Sequence, residues 1–176
     1  PVALIFIVAI GYASQLAYKR KLDKKMILPL LYPTASFVFL ISLYSEFGVM
    51  VLFWLLIIVA ATDTGAYFAG KTFGRTPFCE TSPNKTLEGV VGGMIFAVIM
   101  GIFTSINEVG ILGAIIVSAI VSLSSVFGDL YESYLKREAG VKDSGNILPG
   151  HGGVLDRVDG YLFGAIVMLV LLRIII

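Results

Sequence analysis

Residues 49–64 read VMVLFWLLIIVAATDT, an apolar run that ends in Thr and Asp. A helix that rises 1.5 Å per residue needs about 20 apolar residues to cross a hydrocarbon core about 30 Å thick, and this run with its neighbours is long enough. The chain is 57% hydrophobic and 14% charged, whereas soluble domains carry about 25% charged residues. The run therefore predicts a transmembrane helix, and the composition predicts an integral membrane protein.

Long apolar segments recur along the chain and predict an all-α, polytopic helical bundle with about six transmembrane helices. The predicted spans are residues 1–18, 26–44, 47–70, 87–106, 109–130 and 159–176. The chain begins PVALIFIVAI, with neither Met nor a basic n-region. That beginning is not typical of a signal peptide, and we expect a segment of a longer protein.

Most basic residues lie in three connections between the predicted spans. The connections hold 12 of the 13 Lys and Arg residues: Lys19, Arg20, Lys21, Lys24 and Lys25, then Lys71, Arg75 and Lys85, then Lys136, Arg137, Lys142 and Arg157. The turns near Glu46 and Glu108 hold none. Because cytoplasmic loops are enriched in Lys and Arg, we predict that the three connections, including loops 71–86 and 131–158, face the cytoplasm.

The apolar run continues into GAYFAGKT, residues 65–72, which fits the G-x-x-x-x-G-K-[ST] spacing of phosphate-binding loops. Such a loop needs a strand before it and a helix after it. Here a membrane-helix pattern precedes the motif and the polar stretch FGRTPF follows it. We therefore interpret Gly65 and Gly70 as sites of close helix packing, and Lys71 as a marker of the cytoplasmic end.

Acidic residues lie at the cytoplasmic ends of two predicted spans. A carboxylate at the depth of Asp63 is costly, so it should be paired, metal-bound or open to a water-filled cleft; a packed, hydrogen-bonded Asp is the alternative. Asp129, Glu132, Ser133 and Lys136 follow an i, i+3, i+4, i+7 spacing and share one helix face. Carboxylates suit Mg²⁺, so this face predicts a metal site, while a solvated helix end with a Glu132–Lys136 pair remains open.

The stretch KDSGNILPGHGGVLDRVDG, residues 142–160, combines five glycines and one proline with charged groups. Glycine allows backbone N–H groups to approach an anion, and nearby cations strengthen such a site. The candidate binding residues are Lys142, Asp143, His151, Asp156, Arg157 and Asp159. A loop in which Asp156 caps the following helix is the alternative. Together with Lys85 in SPNKTLEGVVGG, residues 82–93, these groups predict phosphoryl or nucleotidyl transfer on a lipid.

Residues 133–159, SYLKREAGVKDSGNILPGHGGVLDRVD, resemble the signature of the phosphatidate cytidylyltransferases, also called CDP-diacylglycerol synthases. TDTGAYFAGKTFGR and SPNKTLEGVVGG resemble upstream segments of that family, although Asn84 and Leu87 stand where relatives often carry Lys and an aromatic residue. The resemblance covers residue 60 onward. It implies a catalytic C-terminal membrane domain, residues 60–176, preceded by N-terminal transmembrane helices in residues 1–59.

The resemblance also implies a reaction, in which phosphatidate and CTP give CDP-diacylglycerol and pyrophosphate with Mg²⁺, as one or two ions. It implies Asp129 and Asp156 as metal ligands, supported by Asp159, Glu132 or Asp63. The cations that would hold phosphates are Lys85, Lys136, Arg137, Lys142 and Arg157, with Ser133 and Asp143 beside the substrates. His151 would contact a phosphate or the leaving group. The expected location is the bacterial inner membrane with the site toward the cytoplasm, and a homodimer is compatible with the small-residue faces.

Other functional classes of protein fit the sequence less well. A net charge of +1 predicts no nucleic-acid partner. An ion-coupled transporter would carry acids near mid-membrane on several helices, rather than at one face. A CDP-alcohol phosphotransferase would show D-G-x-x-A-R, which the chain lacks, and a scaffold would not require residues 133–159.

Overall fold

The computed structural model of the chain describes residues 24–79, 81–82, 84–141, 143–145 and 153–176. Side chains are described from Pro33 onward, apart from residues 106–108 within that range. The described part is helical, with α1 at Lys24–Phe47 and α2 at Val49–Phe73. A continuous stretch, Leu87–Glu138, follows, and α5 is Leu155–Ile175.

The stretch Leu87–Glu138 consists of two helices joined at a glycine. Gly110 has φ +68°, outside the helical region, which non-glycine residues rarely adopt. The two arms are α3, Leu87–Ser105, and α4, Val109–Glu138. Gly110 therefore divides a 52-residue helical segment into two arms, each long enough to span a membrane.

Four helices in the described part are long and apolar enough to cross a membrane: α2, α3, α4 and α5. They confirm the predicted spans 47–70, 87–106, 109–130 and 159–176. The predicted span 26–44 falls within α1, and its crossing of the membrane stays a prediction. The span 1–18 lies outside the described residues, so a total of about six is not confirmed.

Glycines allow α2 and α3 to pack closely. A Cβ on Gly65 would lie 2.9 Å from the Cα of Gly93, and a Cβ on Gly93 would lie 2.5 Å from the carbonyl oxygen of Thr62. Gly70 and Gly89 face each other one turn nearer the Lys71 end of α2. The interpretation of GAYFAGKT as a packing motif is confirmed, because its residues belong to α2 and its glycines contact α3.

The core lies between α2, α4 and α5. Trp54 and Ile58 of α2, Val121 of α4 and Leu169 of α5 are all buried in one cluster. Gly160 and Gly164 allow α5 to approach, since a Cβ on Gly164 would lie 3.0 Å from Leu55 and 3.4 Å from Val121. Gly160 and Gly164 thereby bring the first turns of α5 beside the end of α4.

An ion pair joins the C-terminal ends of α1 and α5. The Arg173 guanidinium donates to the Glu46 carboxylate, with Nε 2.8 Å from Oε2. That hydrogen bond holds the pKa of Glu46 below its usual value. The pair lies at the end of the bundle away from Lys71 and Lys136, and it accounts for the one Arg outside the basic connections.

Candidate active site

Three carboxylates meet where the end of α4 contacts the beginning of α5. Asp129 and Glu132 lie one turn apart on α4, and Asp159 lies in the second turn of α5. One oxygen from each carboxylate lies within 4.8 Å of the others. Gly128 permits this approach, because a Cβ there would lie 2.7 Å from the carbonyl oxygen of Asp159. We call Asp129, Glu132 and Asp159 the acidic trio.

Glu132 is the buried member of the acidic trio, at 1% exposure. Its Oε2 lies 2.5 Å from Lys136 Nζ, one turn further along α4. Neither carboxylate oxygen has hydrogen-bonding geometry with a donor among the described residues. A buried carboxylate with spare acceptor capacity, beside two further carboxylates, fits a divalent cation, since hard cations take oxygen ligands.

Lys136 connects the acidic trio to a second carboxylate centre at Asp156. Its Nζ donates to Asp156 Oδ1 at 2.7 Å. Asp156 also accepts from the Ser144 backbone N–H at 2.9 Å, from the Ser144 hydroxyl at 2.9 Å and from the Gly153 N–H at 2.7 Å. Asp156 thus ties the loop after α4 to the beginning of α5. It lies outside the acidic trio, and its role as a metal ligand stays a prediction.

Lys85 reaches the acidic trio from the loop between α2 and α3. That loop turns back on itself, because Phe78 N–H donates to the Lys85 carbonyl at 2.8 Å and Leu87 N–H donates to the Thr76 carbonyl at 2.9 Å. Phe78 also packs against Phe127 of α4, with ring centroids 6.4 Å apart. In this position the Lys85 ammonium forms an ion pair with Asp129.

A cavity of about 430 Å³ opens beside Asp129. Asp63 and Asp129 lie on its acidic side, while Lys71 and Lys85 supply two ammonium groups. Its remaining walls come from both ends of the α2–α3 loop and from neighbouring turns: Thr62, Ala66, Tyr67, Gly70, Asn84, Thr86, Gly89, Val90 and Val126. Asp129 belongs to both the cavity and the acidic trio, so a group bound in the cavity would lie next to the trio.

The other predicted site residues lie around this centre. Ser133 is half-buried on α4, and Arg137 is exposed near the end of that helix. Asp143 is exposed in the loop, and Arg157 is exposed in the first turn of α5. Lys142 and His151 lie outside the described residues, and their roles stay predictions.

The structure adds residues that the sequence reasoning did not assign to the site. Lys71 and Tyr67 line the cavity, although Lys71 was interpreted only as a helix-end marker. Glu88 organises the α2–α3 loop, since its carboxylate accepts from the Arg75 N–H at 3.1 Å and from the Thr76 hydroxyl at 2.8 Å. The i, i+4 spacing of Tyr67 and Lys71 shows that they share a helix face, but it does not show what that face meets.

Negative charge exceeds positive charge at the centre of the site. Asp63, Asp129, Glu132, Asp156 and Asp159 converge on two lysines, Lys85 and Lys136. Such a site can hold a divalent cation, and the lysines can exchange their carboxylate partners for phosphate oxygens. Its chemistry suits the transfer of a phosphorus group between two anionic substrates.

A family profile described as the Cytidylyltransferase family matches residues 2–175. The phosphatidate cytidylyltransferase of Helicobacter pylori strain J99 is 51% identical over 174 residues, which are 98% of this chain and 65% of the relative. The enzyme of that name from strain 26695 is 49% identical over 94% of this chain and 63% of the relative. The chain thus spans just under two thirds of their length.

More distant relatives carry the same name. The phosphatidate cytidylyltransferase of Bacillus subtilis strain 168 is 44% identical over 122 residues, which are 67% of this chain and 45% of the relative. Among solved structures, one reported as an intramembrane enzyme for archaeal membrane lipids biosynthesis has a TM-score of 0.48 at 23% identity, over 66% of this chain and 77% of that chain. That structural likeness is too weak to support an inference about function.

Proposed function

The chain belongs to the cytidylyltransferase family, and we propose that it forms the catalytic region of a phosphatidate cytidylyltransferase. A phosphate oxygen of phosphatidate attacks the α-phosphorus of CTP, and the bond between the α-phosphorus and the bridging oxygen breaks. CMP is thereby transferred to the lipid, giving CDP-diacylglycerol, and pyrophosphate leaves with the bridging oxygen. The reaction requires no covalent enzyme intermediate and no redox cofactor.

The observation that carries this proposal is the acidic trio beside a cavity with two lysines. In phosphoryl transfer the protein contributes mainly positioning and electrostatic stabilisation. Both substrates are anions, so a site of carboxylates alone would repel them. A centre with carboxylates for a cation and ammonium groups for phosphates supports nucleotidyl transfer better than a purely structural role.

Asp129, Glu132 and Asp159 are the residues that would hold Mg²⁺, as one or two ions, with Asp156 as a further ligand. The fit rests on the buried Glu132 carboxylate, which has the Lys136 ammonium beside Oε2 and keeps acceptor capacity for a cation among the described residues. A bound Mg²⁺ would neutralise charge on the phosphate oxygens of CTP and the leaving pyrophosphate. Asp63, which lines the same cavity as Asp129, would contribute negative charge that favours the cation.

The cations around the trio would hold the two substrates. Lys85 and Lys136 already contact carboxylates of the site, so each can move to a phosphate oxygen without a large rearrangement. The peripheral groups assigned to substrate binding are Arg137, Lys142, Arg157, Ser133 and Asp143. We assign His151 to the leaving pyrophosphate, where an imidazole N–H can donate to a phosphate oxygen.

The proposed setting follows from charge and hydropathy. The basic connections face the cytoplasm, which supplies CTP, and phosphatidate enters from the membrane. The membrane is the inner membrane of a bacterium, as bacterial relatives suggest. A homodimer stays a prediction, because Gly65, Gly93 and Gly164 of the small-residue faces pack within this chain.

The transfer of label from CTP to phosphatidate tests the proposal. The purified protein in detergent micelles receives phosphatidate and CTP labelled at the α-phosphorus, with Mg²⁺ or with a chelator. We expect label in the lipid only with Mg²⁺, and label from γ-labelled CTP in pyrophosphate. Asp129→Asn should lower the rate by about 100-fold or more, because it removes an electrostatic partner of the transition state.

Glu138→Gln is the matched control, since Glu138 is exposed on the same helix and lies outside the trio. It should keep the wild-type rate. Folded wild-type protein that gives no labelled lipid would overturn the proposed activity. Equal losses in Asp129→Asn and Glu138→Gln would overturn the assignment of the trio.

A further inference from the structure

Among the described residues, Lys71 is the cation of the cavity that has no carboxylate partner. It lies in the last turn of α2, its side chain is exposed, and it lines the cavity together with Asp129. The described residues give it no ion pair, whereas Lys85 in the same cavity pairs with Asp129. Its Nζ lies 5.6 Å from the centre of the Tyr67 ring, one turn earlier on α2. Lys71 is therefore held toward the cavity and keeps its donors available.

The surroundings of Lys71 indicate the depth of a lipid headgroup. Tyr67, Phe68 and Phe73 are 61%, 63% and 67% exposed at the same end of α2. Exposed aromatic residues are enriched at the level where membrane and water meet. Lys71 and Tyr67, which both line the cavity, thus lie at the level of the interface, while Lys85 in the same cavity is paired with Asp129.

A lysine that merely extends from a helix end into water would not need to line a cavity. Arg75 provides the contrast within the chain, because it is exposed four residues further on and does not line the cavity. Two anionic substrates must meet at one phosphorus atom, and one of them is anchored in the membrane. The two lysines come from different elements, Lys71 from the last turn of α2 and Lys85 from the α2–α3 loop, and Lys71 is the one beside the exposed aromatic residues.

We propose that Lys71, with Tyr67 beside it, binds the phosphate of the membrane-anchored substrate and so forms the lipid side of the active site. The inference rests on the proposed function, which supplies a lipid with a phosphomonoester headgroup. Such a headgroup carries between one and two negative charges at neutral pH, and its oxygens accept charge-assisted hydrogen bonds. Lys85 remains with the groups that contact the nucleotide.

Steady-state kinetics on three variants test the assignment. Lys71→Gln should raise the KM for phosphatidate, measured as its surface fraction in mixed micelles, by about 10-fold, the loss expected for one charge-assisted hydrogen bond. The KM for CTP should stay within about twofold. Lys71→Arg should restore most of the affinity, and Arg75→Gln should match the wild type while removing the same charge from the same end of α2.

Direct binding separates this inference from the proposed activity. Native mass spectrometry of the detergent-solubilised protein would compare retention of dioleoyl phosphatidate and dioleoyl phosphatidylcholine. We expect selective retention of phosphatidate by the wild type and by Arg75→Gln, and its loss in Lys71→Gln. Wild-type protein with no preference for phosphatidate would contradict the proposed function. Normal retention by Lys71→Gln, or a raised KM for CTP instead, would overturn the role of Lys71 alone.

Discussion

Glu132 is a buried carboxylate whose ion-pair partner in the described structure is Lys136. Glu132 is 1% exposed, and the Lys136 ammonium also holds Asp156. Removing one partner of a buried ion pair leaves an uncompensated charge, which usually costs more than the pair contributes. Lys136 therefore has a structural role as well as the proposed contact with phosphate.

Lys136→Met should lower the free energy of unfolding by about 3 kcal/mol, because two carboxylates lose their ammonium partner. The measurement is denaturant unfolding of the purified protein in detergent without added metal. The double variant Glu132→Gln/Lys136→Met should recover a large part of the loss, since a neutral amide tolerates burial better than a charge. A double variant no more stable than Lys136→Met would show that Glu132 is not the residue left with an uncompensated buried charge.

Residue types at helical spacing predicted which groups share a face, but not which partner each group meets. The spacing of Asp129, Glu132 and Lys136 indicated one surface of one helix, and the structure places that surface against α5. The approach depends on Gly128, which the sequence reasoning did not single out. The position of Asp156 between Ser144, Gly153 and Lys136 depends on loop contacts, which have no periodic signal.

At the scale of helices, the α2–α3 contact decides where Lys71 and Lys85 stand relative to each other. Both helices contribute glycines to it, and backbone atoms meet directly across the interface. The sequence predicted close packing at Gly65 and Gly70 of α2, because small residues in an apolar helix favour close approach. It did not predict that the two helix ends would enclose a cavity, which depends on the path of the loop between them.

Gly93→Leu should destabilise the protein by about 1–3 kcal/mol, since the new side chain meets the Thr62 carbonyl, a backbone atom that cannot move alone. Thermal unfolding in detergent is the readout. Val91→Leu serves as control, because Val91 is 42% exposed on the same helix and lies away from this contact. Equal melting temperatures for the two variants would contradict the tight α2–α3 interface.

At the scale of the whole molecule, hydropathy predicted six spans, and four of them are helices long and apolar enough to cross a membrane in the described structure. The basic loops predicted one cytoplasmic face. The acidic trio, both lysines of the cavity and Asp156 all lie at that end of the bundle. Hydropathy predicts transmembrane spans well, because each backbone N–H and C=O group inside the bilayer must form its hydrogen bond within a helix. The helix ends predicted from the sequence were less accurate. The predicted span ends at residue 130, whereas α4 continues to Glu138, since α5 shields its polar face.

The single cysteine, Cys79, offers a test of this orientation, because it lies in the loop between α2 and α3. A membrane-impermeant maleimide should label it in inverted membrane vesicles and leave it unlabelled in right-side-out vesicles. In a Cys79→Ser background, Ser45→Cys should show the reverse, since Ser45 is exposed at the opposite end of the bundle. Labelling of Cys79 from the outside would contradict a cytoplasmic active site.

The central claim is that Asp129, Glu132 and Asp159 form the divalent-cation centre of a nucleotidyltransferase. Titration with Mn²⁺ measures cation binding at that centre without requiring turnover. Binding is detected as the loss of the electron paramagnetic resonance signal of free Mn²⁺. The wild type and Glu138→Gln should bind Mn²⁺ with equal affinity, while Asp129→Asn and Asp159→Asn should bind it at least about 10-fold more weakly. Unchanged Mn²⁺ affinity in both trio variants would contradict the account.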